Sequence, residues 1–147
     1  RLLDAVRRCR MDVVPVGIVE ASFNRQPALK LIGATLTVLS PGVVEVAFPY
    51  RPELTQQNGF VHAGIITIAA DSACGYAALS SMPEGSDVLS VEFKVNLLRP
   101  AAGERFVARA SVLKSGKTLT AVRADVFAFI GEKQRLIAAM QATMIRR

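Results

Sequence analysis

Asp71 is the only charged residue between His62 and Met82, in a stretch rich in Ala and Ile. A carboxylate among apolar neighbours costs on the order of several kcal/mol unless it is paired or hydrogen-bonded. Two readings follow. Asp71 is structural, bonded to backbone or to a hydroxyl such as that of Thr67 four residues back. Or it is a catalytic carboxylate whose reactivity is set by dry surroundings. His62, the single histidine, opens the same stretch beside Ala63 and Gly64. Its ring suits a structural role at a helix start better than acid–base work. The first amides of a helix lack intrahelical partners and carry the positive end of its dipole. They can hold a carbonyl oxygen that becomes an oxyanion. Ser90 falls on the polar side of its strand with Glu92, Lys94 and Asn96, and taken alone faces solvent.

Residues 111–118, Ser-Val-Leu-Lys-Ser-Gly-Lys-Thr, nearly match the phosphate-loop pattern, with Ser111 in place of its first glycine. A phosphate loop needs a strand before it and a helix after it. Here the following residues alternate like a strand. The run therefore reads as a hairpin, with Lys114 and Lys117 at its tip around Gly116. Such a tip is either a solvated turn or a contact for phosphates, those of coenzyme A among them.

The elements that must position these residues can be read from periodicity. Residues 2–11 are amphipathic and predict a helix; 13–19 are apolar but broken by Pro15 and Gly17. Residues 31–39 and 43–48 are strand candidates around the turn Ser40-Pro41-Gly42. Residues 51–61 form one long polar loop, a common seat of function. Residues 62–82 predict a helix apolar on every face, hence buried, with small residues that let a sheet approach closely. Asp71 and other polar residues interrupt it, so it is a poor membrane span. Strands follow over 88–98, 105–114, 117–129 and 134–145. Tight turns between them imply antiparallel pairing. The result is an α+β domain, one antiparallel sheet around one buried helix.

With 147 residues the chain has core enough for one domain, and 51% hydrophobic content excludes disorder. Cys9 and Cys74 are far apart and in no metal or CxxC pattern, so two free thiols in a reducing compartment are expected. No signal peptide is visible. The net charge of +6 raises nucleic-acid binding, but Trp is absent, aromatics are few, and no dense basic helix lies mid-chain. A basic surface equally suits a small polyanion.

The run Gln56-Gln57-Asn58-Gly59-Phe60-Val61-His62-Ala63-Gly64, followed by Ala70-Asp71-Ser72-Ala73, resembles the hotdog-fold thioesterases of the phenylacetate-degradation type. That family shows a His-Gly-Gly turn, an apolar helix, and an Asp nine residues after the His. Asp71 stands nine after His62. Ser90-Val91-Glu92-Phe93, ending at Arg99-Pro100, resembles the family's next strand, and Gly116-Lys117-Thr118 resembles its hairpin. The likeness spans residues 23–144 and is most specific over 56–100.

The resemblance implies a hotdog fold, an antiparallel sheet wrapped around one long central helix, over residues 23–147, with an N-terminal helical segment over 1–22. It implies homodimers that pair into tetramers, and cytoplasmic hydrolysis of acyl-CoA with no metal or other cofactor. Asp71 would act as general base or nucleophile. The amide of Ala63, with Gly64 beside it, would polarise the thioester carbonyl, and Ser90 would place the water or the carboxylate. The position six before the histidine, Asn in several relatives, is Gln56 here, and Asn58 is a possible stand-in. Ala63 replaces the first glycine. Lys114, Gly116 and Lys117 are the candidates for coenzyme A contacts.

The rival is a domain that binds acyl-CoA as a sensor without cleaving it; Asp71 favours the enzyme, since a sensor needs no carboxylate in an apolar helix. A hotdog dehydratase would need a catalytic histidine in a different motif. Phe48, Tyr50, Phe60, Met82 and Leu97 are candidates for an acyl pocket, for an aryl or a medium-chain aliphatic group. Ala63 and Asp71 are eight residues apart, about 12 Å along a helix axis. Donor and base must both lie about 3 Å from one reacting centre. Geometry therefore predicts a site built from two chains.

Overall fold

The computed structural model describes residues 12–147. The expected helix over residues 2–11 lies outside them. The described chain opens with α1 (Val16–Asn24) and a short α2 (Pro27–Leu31). Both correct the sequence expectations, and proline explains both. Pro15 occupies the N-cap position of α1, where its carbonyl accepts from Ile18 and Val19 at 2.9 and 3.1 Å and its missing N–H costs nothing. Pro27 opens α2 in the same way, as a residue pre-set for the first turn. Because α2 consumes Leu31, the first strand starts later than expected, after Gly33 turns the chain at φ +70°.

The strands are β1 (Thr35–Ser40), β2 (Val43–Pro49), β3 (Val88–Leu97), β4 (Arg105–Ser115), β5 (Leu119–Ile130) and β6 (Lys133–Arg146). Between β2 and β3 runs α3 (Ala63–Ser81), as expected from its apolar periphery. The six strands form one sheet in the order β1-β2-β4-β5-β6-β3, with every neighbouring pair antiparallel. β1 and β3 are its edges.

The sheet curls around α3 because alternate residues on its inner face are apolar and many are small. Val44 and Val46, Ala108 and Ala110, Ala124 and Val126, and Ala138 to Ala142 in steps of two are all buried there. They meet Ala69, Ala70, Ala73, Cys74 and Ala77 of α3, so helix and sheet pack closely. The one buried serine of this helix, Ser80, is satisfied: it donates to the Ala77 carbonyl and accepts from the Gly42 amide, both at 2.9 Å.

Two details of this frame matter for function. The loop after β2 is pinned where it meets α3: His62 N–H donates to the Leu54 carbonyl at 2.8 Å and Val61 N–H to that of Ala101 at 3.1 Å. This fixes where α3 begins. In β3 the register with β6 slips between Ser90 and Glu92, a β-bulge. Ser90 lies opposite Met144, and Phe93 lies opposite Ala142. Both partners are buried on the inner face. The bulge thus moves Ser90 off the face it would share with Glu92 and Lys94 under strict alternation, and turns it toward the helix.

Candidate active site

Asp71 sits midway along α3 and is half-buried rather than sealed in the core. Its partner is not Thr67, whose hydroxyl donates to the Ala63 carbonyl one turn back at 2.8 Å. Instead Ser90 donates its hydroxyl to Asp71 Oδ1 at 2.6 Å, a charge-assisted geometry. Ser90 stays exposed, as expected of it taken alone, and the bulge lets its hydroxyl reach Asp71 as well. The pair lines a pocket of about 210 Å³ that also holds Ser22, Gln26, Tyr76 and Asp87. Tyr76, 4% exposed, has its phenol held by α1 and the residues after it: Gln26 Nε2 donates to it at 2.6 Å and Ser22 Oγ lies 3.3 Å away. Sequence reasoning missed this wall. A lone phenol in an alanine-rich helix was the visible signal for Tyr76, but nothing linked it to residues some fifty positions away.

One turn beyond Asp71, Cys74 is fully buried. Burial first, and the neighbouring Asp71 carboxylate second, push its thiol up from 9.0 to about 12. It is a packing residue, not a nucleophile.

The start of α3 forms the other half of the candidate site. His62 is the N-cap, and its Nδ1 accepts from the Gly64 amide at 2.8 Å. The ring therefore has the structural role expected of it, and it occupies the Gly64 N–H. The Ile65 and Ile66 amides are taken by the His62 carbonyl at 2.9 and 3.2 Å. Among the described residues the Ala63 amide has no partner. It lines a second pocket of about 410 Å³ with Gln56, Phe60, Ile66, Leu97 and Arg99. The Gln56 carboxamide oxygen accepts from the Asn58 amide, which leaves its NH₂ as the donor available beside Ala63. Asn58 itself is exposed in the turn before Gly59 and does not line the pocket.

Of the five expected acyl-pocket residues, Phe60 and Leu97 line this second pocket. Phe48 is stacked on Phe106 in the core, Tyr50 lies on the surface with its hydroxyl 3.5 Å from the Gly59 carbonyl, and Met82 caps the opposite end of α3. Gly116 and Lys117 also lie at that opposite end, in a third pocket, while Lys114 is exposed on β4 outside it. The structure thus unites Asp71 with Ser90, and Ala63 with Gln56, but keeps the two pairs in separate pockets of one chain.

Comparison with known families is decisive. The model of the thioesterase superfamily matches residues 58–133, more than half of the chain. The chain belongs to the thioesterase superfamily. A crystal structure of a thioesterase family protein from Silicibacter pomeroyi is 53% identical, covering 87% of this chain and 94% of that one, with a TM-score of 0.85. The medium/long-chain acyl-CoA thioesterase YigI of Escherichia coli is 26% identical over 139 residues, 84% of this chain and 88% of YigI. The structure of the E. coli PaaI protein, from the phenylacetic acid degradation operon, is 21% identical with a TM-score of 0.77, covering 86% and 88% of the two chains. That likeness is one of fold: this superfamily member has the hotdog architecture expected from its sequence, with α3 as the wrapped helix. Its general chemistry is thioester hydrolysis.

Proposed function

We propose that the chain hydrolyses acyl-CoA thioesters to free acid and coenzyme A, in a site shared between two copies. Asp71 acts as general base on water or as nucleophile, and Ser90 holds its carboxylate in place. The Ala63 amide, with the Gln56 NH₂ beside it, takes the carbonyl oxygen as it becomes an oxyanion. Water, a carboxylate and these donors suffice for the step, so the reading calls on no metal or cofactor. The observation that carries it is the Ser90–Asp71 hydrogen bond of 2.6 Å, for which β3 is bulged. A carboxylate and a hydroxyl aligned by an irregular strand are hard to explain in a domain that only binds. The acyl-CoA substrate rests further on the likeness to YigI, which bears that activity in its name.

The second copy is needed because one chain separates donor from base. It is supported by β3, an edge unpaired among the described residues, on which Leu89, Val91, Phe93 and Leu97 are 50%, 54%, 42% and 55% exposed. Long apolar edges aggregate unless another strand covers them. An antiparallel pairing of two β3 strands about a two-fold axis covers both, and sets the two α3 helices side by side in opposite directions. Release of free thiol across a panel of aryl and aliphatic acyl-CoAs, for wild type and Asp71→Asn, tests the reading. Tight acyl-CoA binding with no turnover anywhere in the panel would make the protein a sensor.

A further inference from the structure

The two pockets of the candidate site differ in chemistry. The one at Ala63 is walled mostly by apolar side chains, Phe60, Ile66, Leu97 and Ile137 among them. The one at Asp71 is mostly polar: Ser22, Gln26, Ser72, Tyr76, Asp87 and Ser90 all line it. An acyl group belongs in the first. In the second it would strip water from carboxylates and hydroxyls and offer them nothing in return. The phosphates of coenzyme A are no better suited to it. Asp71 and Asp87 both line it, and among the described residues no cation does.

The wall supplied by the end of α1 is fixed in place. Ser22 and Gln26 are four residues apart, and both meet the Tyr76 phenol. Phe23 packs edge-on against the Tyr76 ring, with centroids 5.6 Å apart. Gln26 Nε2 donates to the phenol oxygen at 2.6 Å, and Ser22 Oγ lies 3.3 Å from it. The two hydroxyls own one proton each, and the bond between them uses one. The other is left as a donor for the pocket. On the Asp71 side, Ser90 donates to Oδ1, and Oδ2 has no partner among the described residues. A hydroxyl donor and a carboxylate acceptor in a polar space are what an ordered water needs. The pocket, about 210 Å³, has room for several at roughly 30 Å³ each.

We propose that this pocket holds and orients the water consumed in hydrolysis, with Ser22 and Tyr76 as its positioning residues and Gln26 fixing the phenol. The water gives one proton to Asp71 as its oxygen bonds to the thioester carbon. The C–S bond then breaks, and the thiolate leaves with that proton. The proposal rests on the acyl-CoA reading above, with Asp71 as base.

Ser22→Thr and Ser22→Val test it, because the two side chains match in shape and differ in the hydroxyl. Tyr76→Phe removes the phenol oxygen. For each variant kcat and KM are measured on the best aryl and the best alkyl acyl-CoA of the panel, beside the melting temperature. Ser22→Val and Tyr76→Phe lower kcat about tenfold on both substrates, with KM within about twofold of wild type. Ser22→Thr restores kcat to within about twofold, at a melting temperature close to that of Ser22→Val. A rise in KM at unchanged kcat makes the pocket a substrate subsite and overturns the proposal, as does a loss confined to one acyl class. Equal losses in Ser22→Thr and Ser22→Val, or none in either, also overturn it. These outcomes in an active wild type sink the proposal alone; a wild type that turns over no thioester sinks the enzymatic reading and the proposal with it.

Discussion

A serine hydroxyl has one proton to give, and at 2.6 Å Ser90 gives it to Asp71. The carboxylate is thereby oriented while its second oxygen stays available for water or a carbonyl carbon. Asp71→Asn keeps the shape and the hydrogen bond but cannot take a proton. It lowers kcat by at least about a hundredfold with the melting temperature nearly unchanged. Near-normal turnover would make the aspartate structural. In the proposed site Ser90 positions Asp71, so Ser90→Ala is expected to lower kcat about tenfold or more at similar KM, in line with a lost hydrogen bond to a charged group. Ser90→Thr restores most of it, and failure of that rescue would count against positioning. Cys74 gives a different signature. Its thiol is neutral in both folded and unfolded states below pH 9, so its contribution to stability is complete there. As pH rises from 9.0 toward about 12 the unfolded thiol ionises and the folded one does not, and that contribution is lost. Thermal melts across this window fall more steeply for wild type than for Cys74→Ala; parallel curves would show that the thiol is not held neutral.

The start of α3 and the bulge in β3 are small departures from regular structure that shape the candidate site. Ala63 is the first helical residue, a position where proline is tolerated, and His62 already has the extended backbone (φ −61°, ψ 139°) that a following proline demands. Ala63→Pro therefore deletes the proposed oxyanion donor with little strain. It keeps the circular dichroism spectrum and loses about a hundred- to thousandfold in kcat. A folded, active proline variant would rule out that amide. These same elements show what the sequence could and could not reveal. Period and turn residues are local, so α3, the antiparallel ladder and the His62–Asp71 spacing were legible. The bulge was not: residues 88–97 alternate well, and only the mismatch with β6, some fifty residues on, shows that Ser90 changes face. α1 was hidden for a reason of its own, since Pro15 and Gly17 look like breakers when read without the rule that proline starts helices.

At the scale of the whole molecule, one chain holds the proposed donor and the proposed base in separate pockets. Ala63 and Asp71 are about 12 Å apart along α3 and open into different pockets. In a two-fold dimer joined at β3, the antiparallel helices can bring the Asp71 of each chain to the Ala63 of the other. Complementation distinguishes this arrangement from two independent sites. Ala63→Pro and Asp71→Asn are each nearly inactive alone. When the two are unfolded together and refolded as an equal mixture, random pairing makes about half of the dimers mixed. Each mixed dimer then has one site with both lesions and one with neither. Activity returns to about a quarter of wild type, from two parents that have almost none. Tagging the variants differently and isolating the mixed species raises this to about half of wild type per dimer. Mixed dimers that are isolated, folded and inactive would show that base and donor act within one chain, and that β3 pairing, if present, serves stability alone.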